Sequence, residues 1–120
     1  MNKVHTVTYD ESHEKIVLAG ISAIKTVLEG NNSNEKEKLL FCLDKYLYPY
    51  YGYNLSYAND IFEMLEKIVI EPNTKNVKDE AIHLLETFSC PPFTIIEKNI
   101  NKIESELIAD IKYLLNIGKE

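Results

Sequence analysis

Asp79, His83 and Glu86 are the residues whose types and spacing could do chemistry. His83 stands one helical turn after Asp79 and one before Glu86, so a helix places the three side chains on one face. Two carboxylates and an imidazole could hold a divalent metal or serve as acid and base. The same pattern is also the ordinary makeup of a solvated charged face, which is the preferred reading because exposed helical pairs of this kind are common. No Ser, Cys or His stands in a nucleophile elbow or dyad motif. Gly20, Gly30, Gly52 and Gly118 are isolated, so no phosphate-cradling loop forms. The expectation is no enzyme, no cofactor and no metal.

Recognition is the other chemistry the sequence offers. Residues 46–57, YLYPYYGYNLSY, hold six of the eight tyrosines around one proline and one glycine. Tyrosine brings a large, stiff contact area and a hydroxyl at small entropic cost, so a cluster outside regular helix suits a binding surface. The plainer alternative is that these rings pack a junction between helices. The expected contact anchors are Tyr48, Tyr50, Tyr51, Tyr53 and Tyr57. Asp60, Glu63 and Glu66 supply an acidic complement, and Asp44 also flanks the segment.

Composition narrows the partner. Nineteen acids oppose thirteen bases for a net charge of -6, and every base is lysine. Without arginine there is no bidentate fork for phosphate or guanine, which argues against nucleic acid and for a basic protein. The first apolar stretch, residues 16–24, is short and broken by Gly20 and Ser22, too short to span a bilayer and unlike a signal peptide. Cys42 and Cys90 form no ligand spacing and read as buried free thiols, consistent with a cytoplasmic, reducing location.

The positioning elements are helical throughout. Residues 1–9 form an extended arm, and 10–120 a single all-helical domain. A first helix runs from Asp10 or Ser12 to Gly30 on the apolar set Ile16, Val17, Gly20, Ile21, Ile24, Val27 and Leu28, with His13 near its start on the apolar side as a satisfied histidine under the arm. A second begins near Glu35, turns Leu39, Leu43, Tyr46 and Leu47 inward, carries Phe41 and Tyr48 on its opposite face, and ends before Pro49. A third spans roughly 56–70, with Ile61, Met64, Leu65, Ile68 and Val69 inward and Asn59, Glu63, Glu66 and Lys67 outward. The fourth covers about 76–88. The fifth starts at Thr94 and steps through Ile96, Ile100, Ile103, Leu107, Ile111 and Leu114, with a break expected at Asn101 where Glu104 could complete a capping box.

Shifting the chain by 42 residues lays KEKLLFCLDKYLYP, 36–49, on KDEAIHLLETFSCP, 78–91, and Ile61, Leu65 and Val69 on Ile103, Leu107 and Ile111. A helix pair at that period is the spacing of HEAT and armadillo arrays. The expected architecture is therefore a five-helix HEAT/armadillo-like repeat, an N-terminal capping helix plus two helix pairs in one compact domain. The copy carries SCPPF where the first unit has its tyrosines, which marks them as added function.

With its paired helices over 35–116, the segment NVKDEAIHLLETFSCPPFTIIEKNI and its acidic, arginine-free balance, the chain resembles the small acidic HEAT-like immunity proteins of bacterial polymorphic-toxin and contact-dependent growth-inhibition systems. That resemblance implies a cytoplasmic protein that binds a cognate toxin domain, often a nuclease, and covers its active site. A helical-repeat adaptor that binds a peptide or helix of another protein is the alternative, distinguished by weak dependence on salt and on the acidic residues.

Overall fold

Asp10 opens the first helix through a capping box: its carboxylate accepts from the Ser12 backbone N–H, and His13 Nδ1 accepts from the Asp10 backbone N–H at 3.1 Å. The computed structural model describes residues 8–48, 51–53, 55–89 and 92–116, and every regular element among them is helical. In chain order these are α1 (Glu11–Ala19), α2 (Ile21–Leu28), α3 (Ser33–Leu47), α4 (Ala58–Ile70), α5 (Lys75–Phe88), α6 (Thr94–Lys98) and α7 (Ile108–Leu115), with 3₁₀ turns at Ile100–Lys102 and Ser105–Leu107. Residues 1–7 of the expected arm lie outside the described residues. None of the described helices is long and apolar enough to cross a membrane.

The expectation of a five-helix layout fails at both ends of the chain. Gly20 splits the first helix into α1 and α2, adopting φ +114°, which side chains other than hydrogen rarely take. The last helix is divided after Lys98, earlier than the expected break at Asn101. Glu104 completes no capping box; its carboxylate pairs instead with Lys78 Nζ at 2.8 Å. Gly20→Ala should cost about 1–3 kcal/mol through backbone strain alone, since a Cβ there meets nothing within 4 Å. Urea denaturation checks this, and an unchanged midpoint would show that the break tolerates an ordinary residue.

Packing arranges the helices in two rows. In one, α1 lies against α3 and α3 against α5; in the other, α2 lies against α4 and α4 against α6. The rows meet through α1 with α2, α2 with α3, α4 with α5, and α5 with α7. Between them lies one apolar core that includes Val17, Ile24, Leu39, Leu43, Ile61, Leu65, Leu84, Leu85, Leu107 and Ile111. Each such side chain contributes about 2 kcal/mol by leaving water.

Burial follows the shift of 42 residues. Lys36, Leu39, Leu40, Cys42 and Leu43 are buried on α3, as are Lys78, Ala81, Ile82, Leu84 and Leu85 on α5. Ile61, Leu65 and Val69 match buried Ile103, Leu107 and Ile111 in the same register. Even the two buried lysines behave alike, Lys36 donating to Asn73 Oδ1 at 2.7 Å and Lys78 to Glu104. A buried ammonium must find such an acceptor or lose its charge. The Cys42 thiol is free and is pushed up to about 12 by burial, with the Glu14 carboxylate adding to the effect, so it stays protonated. Cys90 lies outside the described residues.

Candidate functional site

The tyrosine segment divides into rings that hold the fold and rings that face solvent. Tyr46, on the inward face of α3, is buried, and its hydroxyl donates to Glu14 Oε1 at 2.9 Å. Lys45 Nζ donates to the same oxygen at 2.9 Å, and these two bonds hold the Glu14 carboxyl below its ordinary range. Burial together with the negative Glu14 pushes the Tyr46 hydroxyl up to about 12. Tyr53 packs on this base with its ring tilted 41° and its centroid 4.3 Å from that of Tyr46, and the Lys45 ammonium sits 5.4 Å from the Tyr46 ring and 6.0 Å from that of Tyr53.

Tyr57 is a clamp. It is partly buried against the core, and its hydroxyl donates to the Val17 carbonyl. An uninterrupted helix would use that carbonyl for the N–H four residues on, but the break at Gly20 leaves it open to Tyr57 and to the Gly20 N–H. Tyr57 thereby ties the end of the tyrosine segment to the junction of α1 and α2, which limits what it can offer a partner.

Tyr48, Tyr51 and Tyr53 are exposed, at 45%, 55% and 40%. Tyr48 packs edge-on against Phe88 at 6.0 Å and lies 5.8 Å from Tyr51, whose backbone N–H donates to the Tyr48 carbonyl. With Tyr9, Phe41, Asp44 and Lys45, Tyr48 and Tyr51 line a groove of about 550 Å³. Tyr9 and Phe41 form its other aromatic wall, 6.0 Å apart. Sequence reasoning placed Phe41 on the outer face of its helix but missed the participation of Tyr9, which precedes α1 by two residues and reaches the groove because α1 lies against α3. Tyr50 lies outside the described residues.

The acidic residues separate as well. Asp60 and Glu63 are exposed on α4, as the helical period requires. Glu66, expected on the same outer face, is instead buried, and its carboxylate accepts from the backbone N–H groups of Ile95 at 3.2 Å and Ile96 at 3.3 Å. Thr94 does not cap α6; Phe93 holds the N-cap position without a side-chain bond, and Glu66 supplies the missing acceptor from a neighbouring helix. Burial pushes the Glu66 carboxyl up, and the two N–H donors pull it partly back. A side chain so enclosed is a poor contact for a partner.

The polar triad of α5 also regroups. Asp79 is taken by Lys75 at 2.9 Å, and Glu86 does not join His83 in a close cluster. His83 Nε2 lies 3.2 Å from Asp44 Oδ2 on α3, and Glu80 completes a set of ligand atoms that all lie within 4.8 Å of one another. Burial pushes the Glu80 carboxyl up, an effect that His83 opposes and Asp44 and Glu37 reinforce. His13 is buried as expected, but its partners are Asp10 and Glu35, whose Oε2 lies 3.2 Å from Nε2.

No protein-family model, curated protein or solved structure matches this chain.

Proposed function

We propose that this chain is an immunity-type inhibitor that binds a cognate basic toxin domain, such as a nuclease domain, and covers its active site. The observation that carries the reading is the aromatic groove and its foundation. Tyr48, Tyr51 and Phe41 expose their rings beside Asp44, while the neighbouring Tyr46 and Tyr57 are locked by hydroxyl bonds to Glu14 and Val17. Rings held on a fixed base lose little freedom on binding, and exposed aromatic anchors are what binding energy concentrates on. The net charge of -6, with Asp44, Asp60 and Glu63 near or beyond the tyrosine segment, favours a cationic partner and speeds encounter.

The scaffold we infer for this role is a short HEAT-like array. Its support is the two-row packing, the recurrence of burial at 42 residues and the paired lysines Lys36 and Lys78. In that scheme α1 packed on α2 stands where a single capping helix was expected, and the later helices join across the rows through α2 with α3, α4 with α5 and α5 with α7.

Immobilised protein incubated with lysate of its native host should retain one basic protein at low salt and release much of it at about 1 M salt, where charges are screened beyond about 3 Å. The retained protein should carry a toxic activity that equimolar addition of this chain abolishes. Retention of nothing, or of many proteins regardless of salt, would overturn the proposal. Salt-independent retention of a protein with no such activity would favour an adaptor that binds a peptide or helix.

A further inference from the structure

Glu80 and His83 occupy neighbouring positions on one face of α5, three residues apart, and Asp44 meets them from α3 across the packed pair of helices. The 3.2 Å between His83 Nε2 and Asp44 Oδ2 is close to the edge of a tetrahedron drawn around a zinc ion, about 3.3 Å for metal–ligand distances near 2.0–2.1 Å. The third ligand atom lies within 4.8 Å of both. Closing that remaining gap falls to the Glu80 side chain, because the helix holds its backbone.

Charge around the triad is unbalanced in the sense a cation corrects. Glu86, on α5 with Glu80 and His83, adds a further nearby carboxylate. The lysines of these two helices are engaged elsewhere: Lys36 with Asn73, Lys38 with Glu35, Lys45 with Glu14, Lys75 with Asp79 and Lys78 with Glu104. Among the described residues no lysine forms an ion pair with Asp44 or Glu80. His83 is half-exposed, so an ion has a path from solvent and a fourth position open to water or to another ligand.

We infer that Asp44, Glu80 and His83 form a binding site for one divalent transition-metal ion, with zinc the best fit to an imidazole and two carboxylates. The nitrogen ligand selects such a metal over magnesium and calcium, which favour oxygen alone. Asp44 also lines the aromatic groove, so the ion sits at the groove's edge and pins α3 to α5 beneath it.

Calorimetric titration of chelator-treated protein with zinc chloride, using the chain alone, tests this independently of any partner. One ion should bind per chain, with at least tenfold weaker binding in His83→Ala and in Asp44→Asn, unchanged binding in Asp110→Asn, and no comparable heat with magnesium. Saturating zinc should also raise the melting temperature of the wild type but not of His83→Ala. Absence of zinc binding would overturn the inference. So would zinc binding that survives both substitutions, or equal binding of magnesium, since the first places the ion elsewhere and the second reduces the triad to a patch of negative charge.

Discussion

Replacing Glu66 by alanine is expected to lower folding stability by about 2–3 kcal/mol, whereas replacing it by glutamine should cost less than about 1 kcal/mol. Alanine removes the acceptor of both the Ile95 and Ile96 N–H groups, the second of which is buried, and water does not reach it readily. Helix α6 has only five residues, so it owes its existence to tertiary partners rather than to its own propensity. Losing the carboxylate should loosen α6 and the link from α4 to the chain beyond it. Glutamine keeps one carbonyl oxygen in place for the two donors and removes a charge that Glu63 and Glu97 disfavour.

The two variants also differ with pH. The folded-state carboxyl of Glu66 is pushed above its unfolded value, so folding penalises the ionised form. That penalty is absent below the unfolded value, about 4.3, and grows as pH rises through the raised folded value. The glutamine variant should therefore gain stability relative to the wild type between about pH 4 and pH 7. Urea denaturation at both pH values measures the difference. Equal losses for alanine and glutamine would show that the cap is not what Glu66 contributes.

Glu66 illustrates where a sequence stops being readable. The period that placed α3, α4 and α5 within about two residues of their observed bounds is local, because apolar residues three and four apart must share a face. Position 66 lies just off the inward stripe of α4 by that period, which predicts a solvent-facing side chain. Its partner, the start of α6, lies 29 and 30 residues away, and nothing local marks it. The break at Gly20 was similarly hidden, since glycine on an apolar face reads as a small packing residue until its backbone angle is seen. From that break follows the role of Tyr57, whose acceptor exists only because the helix is interrupted. The His83 cluster failed for a related reason: intrahelical spacing suggested Asp79 and Glu86, but Asp44 from the neighbouring helix and Glu80 sit closer to the ring.

The division within the tyrosine segment sets the largest functional effect. Tyr48→Ala with Tyr51→Ala should weaken binding of the partner by about 3 kcal/mol or more, roughly a hundredfold or greater, because exposed aromatic anchors dominate such interfaces. The same double substitution should change folding stability by less than about 1 kcal/mol, since both rings are half in water and neither belongs to the core cluster. Tyr46→Phe should behave in the opposite way. Its hydroxyl is bonded to Glu14 beneath the groove, so losing it leaves a partly buried carboxylate with only Lys45 and costs about 1 kcal/mol of stability, with the exposed rings unaltered. Calorimetric titration against the purified partner and denaturant melts of each variant separate the two effects. If the double substitution unfolds the chain, these rings are structural and the groove is a packing junction. If it leaves both affinity and stability intact, the partner binds another face, and the acidic residues Asp60 and Glu63 on α4 become the place to look.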